Sequence, residues 1–324
     1  MDYKYIFGPV RSGRLGLSLG LDLLGDRICS FDCLYCEVGK TTLHTLKRNV
    51  YVSAQSILEE LKHWLKHNKT RPDYITLGGM GEPCLNKDMG EIIAGAKRLA
   101  PDIPTAILTN SSLLGSKRVS RDISLCQVVL PSLDSLVQTE FMALNRPCVK
   151  LKTENIASNL LNWRQEYSGK VFLEILLVRG INDTEENLER MQHFIQAFKP
   201  TRIDMVTMTR PGAYAQARPV EEKILDKWKK ALKAEEIVNK KAHILDNTSS
   251  TPLDTHLDAH LIEQKICNSL KRRPQSVPQL AWALALPLKE VHKTIKRLLQ
   301  QDKVQVIATR EEEDYFALHK DSVD

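Results

Sequence analysis

From residue 15 to residue 208 the chain repeats one unit: a short apolar run, a turn of glycine or polar residues, then a stretch of helical period. Residues 15–24 alternate apolar with small or polar residues, as a strand does. Further strand-like runs lie at 74–77, 104–110, 126–132, 170–178 and 202–208, each ending in glycine or polar residues. Helices are expected at 53–67, 86–99, 135–144, 153–166 and 184–198. Ser53 is placed as an N-cap, with Ile57, Leu58, Leu61 and Leu65 on one apolar face. Strands alternating with helices argue for an α/β fold, a parallel sheet with helical crossovers. Six such units suit an open, partial (β/α)6 TIM-type barrel. In a barrel the residues that do chemistry sit at the carboxyl ends of the strands.

The loop after the first strand carries Cys29, Cys33 and Cys36 within eight residues. Thiolates this close converge on a metal, and soft sulfur ligands favour zinc or iron–sulfur centres. A structural zinc site is closed by four ligands, usually in two pairs. No second Cys-x2-Cys or histidine pair lies nearby, and His44 is poorly spaced to close the site. Three cysteines are one short of the four that hold an ordinary iron–sulfur cluster, which leaves one iron open to a ligand. Cys84, Cys126, Cys148 and Cys267 show no ligand spacing and are read as packing residues, with Cys84 expected near the barrel mouth.

The strand at 74–77 runs into Gly78-Gly-Met-Gly-Glu82-Pro83. A glycine-rich turn lets a ligand approach the backbone closely. A carboxylate there can accept hydrogen bonds from an ammonium group. Arg11 and Arg14 precede the first strand and are read as surface charges, with an anionic ligand as the alternative.

A chain of 324 residues has room for one large domain and a small one. With 42% hydrophobic and 27% charged residues it has the composition of a soluble protein, and no apolar run approaches a membrane span. The N-terminus lacks the basic region and apolar core of a signal peptide. Seven cysteines, three of them clustered, argue for a reducing cytoplasm rather than a disulfide framework. A net charge of +6 permits an anionic partner without demanding one.

Residues 1–245 are read as the barrel with an extension, a helix at 219–234 and a short strand near 243–245. The turn-rich stretch 246–255 is a linker. Residues 256–324 follow the order of a winged helix-turn-helix: helices at 256–271, 277–284 and 287–301, then strands at 304–308 and 315–318. In the third helix Leu288, Val291, Ile295, Leu298 and Leu299 are assigned to the core. Lys289, Lys293, Lys296 and Arg297 lie opposite. With residues 271–273 they form either a phosphate-binding face or a plain solvated one. Four acids at 311–314 would repel a phosphate backbone, so a protein partner or packing on the barrel fits as well.

The C-x3-C-x2-C spacing, with Tyr35 just before the last cysteine, resembles the cluster loop of radical SAM enzymes, and Gly-x-Gly-Glu-Pro at 79–83 resembles their Gly-Gly-Glu element. Gly8-Pro-Val, Cys36-Glu-Val-Gly, Pro131-Ser-Leu-Asp, Leu144-Asn-Arg-Pro147 and Gly180-Ile-Asn-Asp183 resemble a branch related to the enzyme that builds the wybutosine base of tRNA. The resemblance implies that Cys29, Cys33 and Cys36 ligate a 4Fe-4S cluster whose open iron binds S-adenosylmethionine. It implies that Tyr35 lies against the adenine, that Gly79, Gly81 and Glu82 hold the methionine amino group, and that Ser132 faces the ribose or carboxylate. Ile181 and Asn182 would border the adenine, with Asn110 and Asp134 as further cofactor-site candidates that equally suit helix caps. The wybutosine enzyme carries a second cluster on extra N-terminal cysteines; none precedes Cys29 here, so a single cluster is expected.

The implied activity is reductive cleavage of S-adenosylmethionine by an electron from a low-potential donor, giving a 5′-deoxyadenosyl radical. The expected substrate is a macromolecule, with tRNA first and a protein second. A non-catalytic iron–sulfur regulator is the competing class.

Overall fold

A computed structural model of the chain describes residues 3–234, 258–310 and 313–319. The strand expected near 243–245, the linker at 246–255 and the acids Glu311 and Glu312 fall outside the described residues.

The chain begins with a hairpin, β1 (Ile6–Ser12) and β2 (Gly16–Leu21), paired antiparallel. From the sequence no strand is expected over residues 6–12. Only Ile6 of β1 is buried, so this edge strand carries no apolar period to read. The two-residue strands β3 (Ile28–Cys29) and β4 (Leu43–His44) bracket the cysteine loop.

The repeated units follow: α1 (Ala54–His67), β5 (Tyr74–Leu77), α2 (Met89–Leu99), β6 (Thr105–Thr109), α3 (Lys117–Ile123) and β7 (Val128–Pro131). After these come α4 (Gln138–Asn145), α5 (Thr153–Glu166), β8 (Lys170–Leu177), α6 (Glu185–Phe198), β9 (Arg202–Thr207) and α7 (Glu222–Leu232). Ser53 caps α1 by accepting from the Ser56 amide, and Thr184 caps α6 by accepting from the Asn187 amide. The short polar helix α3 is absent from the sequence expectations; buried Val119, Asp122 and Ile123 anchor it, Asp122 through Arg48 at 3.7 Å.

The sheet runs β1-β2-β5-β6-β7-β8-β9, and all pairs after β1-β2 are parallel. Six parallel strands with helical crossovers make the partial TIM-type barrel. Leu19, Leu21, Ile75, Leu77, Ile107 and Val129 belong to the large core that includes the helices. Residues of the other parity, Ala106, Val128, Leu130 and Phe172, with Leu15, form a smaller cluster lining the lumen.

The C-terminal part comprises α8 (Ala259–Leu270), α9 (Val277–Leu284), α10 (Leu288–Gln300), β10 (Val304–Arg310) and β11 (Glu313–Leu318). Ile262, Ile266, Leu280, Val291, Ile295 and Leu298 give it an apolar core of its own. Two assignments are corrected. Leu288 is 48% exposed at the start of α10 rather than in the core. Arg297 does not stand free with the lysines, because Glu263 of α8 holds it at 2.8 Å and also binds Lys303.

Those cations hold the Glu263 carboxyl below its ordinary pKa of 4.5, the Lys303 hydrogen bond first. A folded pKa depressed in this way adds stability above the ordinary value, and the gain is lost as pH falls through the folded pKa. Glu263→Gln is expected to destabilise the protein by about 0.2–1 kcal/mol at pH 7. Once the pH has fallen below the folded pKa, where the carboxylate is protonated in both states, the difference should vanish. Thermal denaturation of both proteins across that range checks it.

Candidate active site

The cysteine loop lies across the mouth of the barrel and is tied to it by backbone. The Leu34 amide donates to Leu144 O at 2.9 Å, the Asp32 amide to Asn145 O at 3.1 Å and the Cys148 amide to Ser30 O at 3.0 Å. Tyr214 donates its hydroxyl to Asp32 at 2.5 Å, and Arg146 pairs with the same carboxylate at 3.4 Å. His44 is turned to the Ser30 carbonyl, 3.1 Å away.

The glycine turn after β5 meets this loop edge-on. The Glu82 amide donates to Ile28 O at 3.1 Å. A Cβ on Gly81 would collide with that carbonyl, so only glycine allows the approach. Gly79 has φ +138 and lies against Asp22, where a side chain would be both strained and obstructed.

Glu82 is buried. It accepts from the Thr109 hydroxyl at 2.8 Å and the Cys84 amide at 3.1 Å, and its second oxygen accepts from the Asn110 amide at 2.6 Å. Burial raises its pKa, and these donors pull the other way. In this arrangement the carboxylate braces the turn against β6. Cys84 is buried beside it, 3.5 Å from Thr109 Oγ1, and is closed off from the mouth.

Asp134 is a hub. Its carboxylate accepts from the Tyr35 hydroxyl at 2.5 Å, the Asn145 amide at 2.8 Å and the Leu176 amide at 3.0 Å. Its carbonyl accepts from Asn182 at 2.9 Å and Asn187 at 3.0 Å. The Asn182 side chain is fully buried and bonds only backbone, including Val178 N at 2.7 Å. Ile181 is half-buried and packs in one cluster with Tyr35, Leu34 and Met208. Tyr35, Asn110, Ser132 and Asp134 line one cavity of about 50 Å³, together with Phe31, Phe141 and Asn145. The structure therefore gathers these four residues, sets Gly79, Gly81 and Glu82 against the cysteine loop, and turns Asn182 inward as a brace.

The donors fit an iron–sulfur cluster. Burial pushes the thiol of Cys29 up to about 12 and that of Cys36 up to about 11. Burial also raises Cys33 well above its ordinary value, reinforced by repulsion from the other two thiolates. Three partly buried thiolates side by side need positive counter-charge, which iron would supply. Among the described residues no three His, Cys, Asp or Glu side chains are close enough to hold a single ion. A cluster instead spreads its sulfur ligands over separate corners. Asn110 Nδ2 stands 3.5 Å from the Cys29 sulfur, and Asn145 Nδ2 is 3.5 Å from the Cys33 sulfur. Amide donors at ligand sulfurs tune such centres. In the sequence Asn145 stands only within the Leu144–Pro147 motif, which gives its side chain no role; the contact with Cys33 depends on the fold.

Arg14 also departs from expectation. It is half-buried and ion-paired to Glu174 of β8, inside the barrel rather than on the surface. Arg272 and Arg273 likewise do not join the α10 lysines. Arg272 pairs with Asp22 at 3.0 Å and stacks on Phe7, and Arg273 pairs with Glu37 at 3.3 Å.

The family model described as Radical SAM superfamily matches residues 26–195, just over half of the chain. A protein of Brachyspira hyodysenteriae named GTPase Obg is 32% identical over 93% of this chain, which spans only 43% of that relative. A UPF0026 protein of Synechocystis sp. is 33% identical, over 64% of this chain and 77% of its own. A probable dual-specificity RNA methyltransferase of Prochlorococcus marinus is 26% identical, over 53% of this chain and 50% of its own. Among solved structures, a radical SAM methyltransferase from Sphaerobacter thermophilus aligns with a TM-score of 0.51 at 15% identity, over 67% of this chain and 63% of its own. Those matches, with a three-cysteine loop at the mouth of a partial barrel, place this chain in the radical SAM superfamily, as an enzyme that uses a 4Fe-4S cluster and S-adenosylmethionine.

Proposed function

We propose that this enzyme modifies RNA, with tRNA as the first candidate, by hydrogen abstraction. Cys29, Cys33 and Cys36 would hold the cluster. When bound, the cluster supplies the electron that splits S-adenosylmethionine into methionine and a 5′-deoxyadenosyl radical; the protein supplies binding, orientation and exclusion of water. Gly79 and Gly81 let the turn pack close against Asp22 and the Ile28 carbonyl, so that its backbone would meet the methionine group at the cysteine loop, while Glu82 keeps that turn in place. Tyr35, fixed through Asp134, and Ile181 offer an apolar wall to the adenine. Ser132 offers a hydroxyl on the cavity side.

The observation that carries the RNA reading is the outer face of α10. Lys289, His292, Lys293 and Lys296 are exposed along one side. Among the described residues no ion pair engages these lysines, whereas Arg297 and Lys303 share Glu263. Three such lysines at helical spacing suit successive phosphates. The winged-helix reading of the C-terminal part agrees with this, as does the likeness to an RNA methyltransferase.

The test is 5′-deoxyadenosine formation by the reconstituted, reduced protein under anaerobic conditions, with and without cellular RNA. RNA is expected to stimulate it, and nuclease should abolish the stimulation. Stimulation by protein extract alone, removed by protease, would overturn the RNA reading in favour of a protein substrate. No product under any condition, with cluster and cofactor both bound, would favour a regulator.

A further inference from the structure

An open barrel leaves a gap between its first and last strands. Here that gap is filled by charge. Arg14, from the β1–β2 turn, pairs across it with Glu174 of β8. Arg202 of β9 stacks on Phe172 in the lumen and clamps Asp204 through two bonds of 2.5 and 2.8 Å. Arg202 also donates to the Arg14 carbonyl at 3.0 Å. Nearer the mouth, Arg210 at 2.8 Å and Arg273 at 3.3 Å converge on the same oxygen of Glu37.

The C-terminal helices complete this wall. Gln279 of α9 bonds Arg210 and the Thr209 carbonyl, each at 2.9 Å, and Tyr315 donates to that carbonyl at 3.1 Å. Arg272 reaches the rim at Asp22, beside Gly79.

Four guanidiniums, those of Arg14, Arg202, Arg210 and Arg273, face three carboxylates, those of Glu37, Glu174 and Asp204, a surplus of one positive charge. A half-buried surplus charge is unfavourable without a partner. Burial lowers the Arg273 pKa to about 10, with Arg210 adding repulsion. The place is specific. Glu37 follows Cys36 directly, and Glu174 is paired by backbone with Ser132, which lines the cavity.

We propose that Arg14, Arg210 and Arg273 form an anion subsite in the wall of the substrate chamber that takes one phosphodiester of the RNA substrate, Arg273 being delivered by the C-terminal helices. The assignment of RNA rests on the function proposed above. One phosphodiester carries the single negative charge that balances the surplus, and guanidinium forks match its oxygens. The lysines of α10 would hold the RNA at a distance, and this subsite would hold the nucleotide next to the reacting one.

The test uses the full-length protein with cluster and S-adenosylmethionine bound, so that the cofactor carboxylate is already in place. Binding of a fluorescent five-nucleotide RNA is followed by anisotropy across salt concentrations. Arg273→Gln is expected to weaken binding about tenfold and to lower the salt slope by about one. Glu37→Gln raises the surplus to two charges and should tighten binding, a gain that misfolding would not mimic. A methylphosphonate analogue, which lacks the backbone charge, should bind the parent protein no better than Arg273→Gln binds RNA. Unchanged affinity in both variants overturns the subsite, even where RNA still stimulates 5′-deoxyadenosine. Arg273-dependent binding of N-acetylglycine, with RNA affinity unchanged by Arg273→Gln, overturns it in favour of a carboxylate. If RNA binding depends on Arg273 and Glu37 as stated but RNA never stimulates turnover, the subsite stands and the RNA-modification reading falls.

Discussion

Cys33→Ala should reduce the reconstituted iron content from about four per chain to well below one and bring 5′-deoxyadenosine formation to background. The three thiols come from one short loop, and the two fully buried cysteines, Cys84 and Cys126, are closed off from it. Cys84 is buried against Thr109 under the glycine turn, and Cys126 is buried in the core behind the sheet. Cys84→Ala is therefore the matched control: it removes a thiol from the same end of the barrel but should keep its iron. Iron, sulfide and product are measured on both proteins prepared side by side. Retention of a full cluster in Cys33→Ala would overturn the ligand assignment.

The second large effect is expected at Asp134. Its carboxylate is the acceptor for three donors, the Tyr35 hydroxyl, the Asn145 amide and the Leu176 amide. Asp134→Ala strands all three in a buried site. At ~1–3 kcal/mol for each unsatisfied donor, the loss should be at least about 3 kcal/mol, read as a lower denaturation midpoint. The same change unties Tyr35 of the cysteine loop from the barrel and frees Asn145, so iron loading should fall as well. Tyr35→Phe removes one of the three bonds and should cost only about 1 kcal/mol. A loss in Asp134→Ala no larger than that of Tyr35→Phe would show that the hub does not brace the loop.

Much of the barrel could be read because its signals are local. A buried parallel strand is an apolar run, a crossover helix has a 3.6-residue period, and a cysteine loop declares itself by spacing. The runs at 74–77, 170–178 and 202–208 became β5, β8 and β9, and the stretch at 153–166 became α5. Elements without such a signal were missed. The strand β1 mixes Gly8, Pro9 and Arg11 into an edge that buries only Ile6, and α3 is too short and polar to show a period.

The alternating architecture, the three-cysteine loop and the glycine turn are all legible in the chain's own order of residues. Each depends on residues within one loop or one period of each other. The part played by each isolated charge is set by the assembled fold. Glu37 and Arg273 are 236 residues apart and Asp22 and Arg272 are 250 apart, yet they meet at the mouth of the barrel. A charged residue read alone is most often solvated. Whether it is buried, and against which partner, depends on how the ends of the sheet and the C-terminal helices come together. No local pattern encodes that pairing, so Arg14, Asn145 and Arg273 acquired their roles only once the chain was folded.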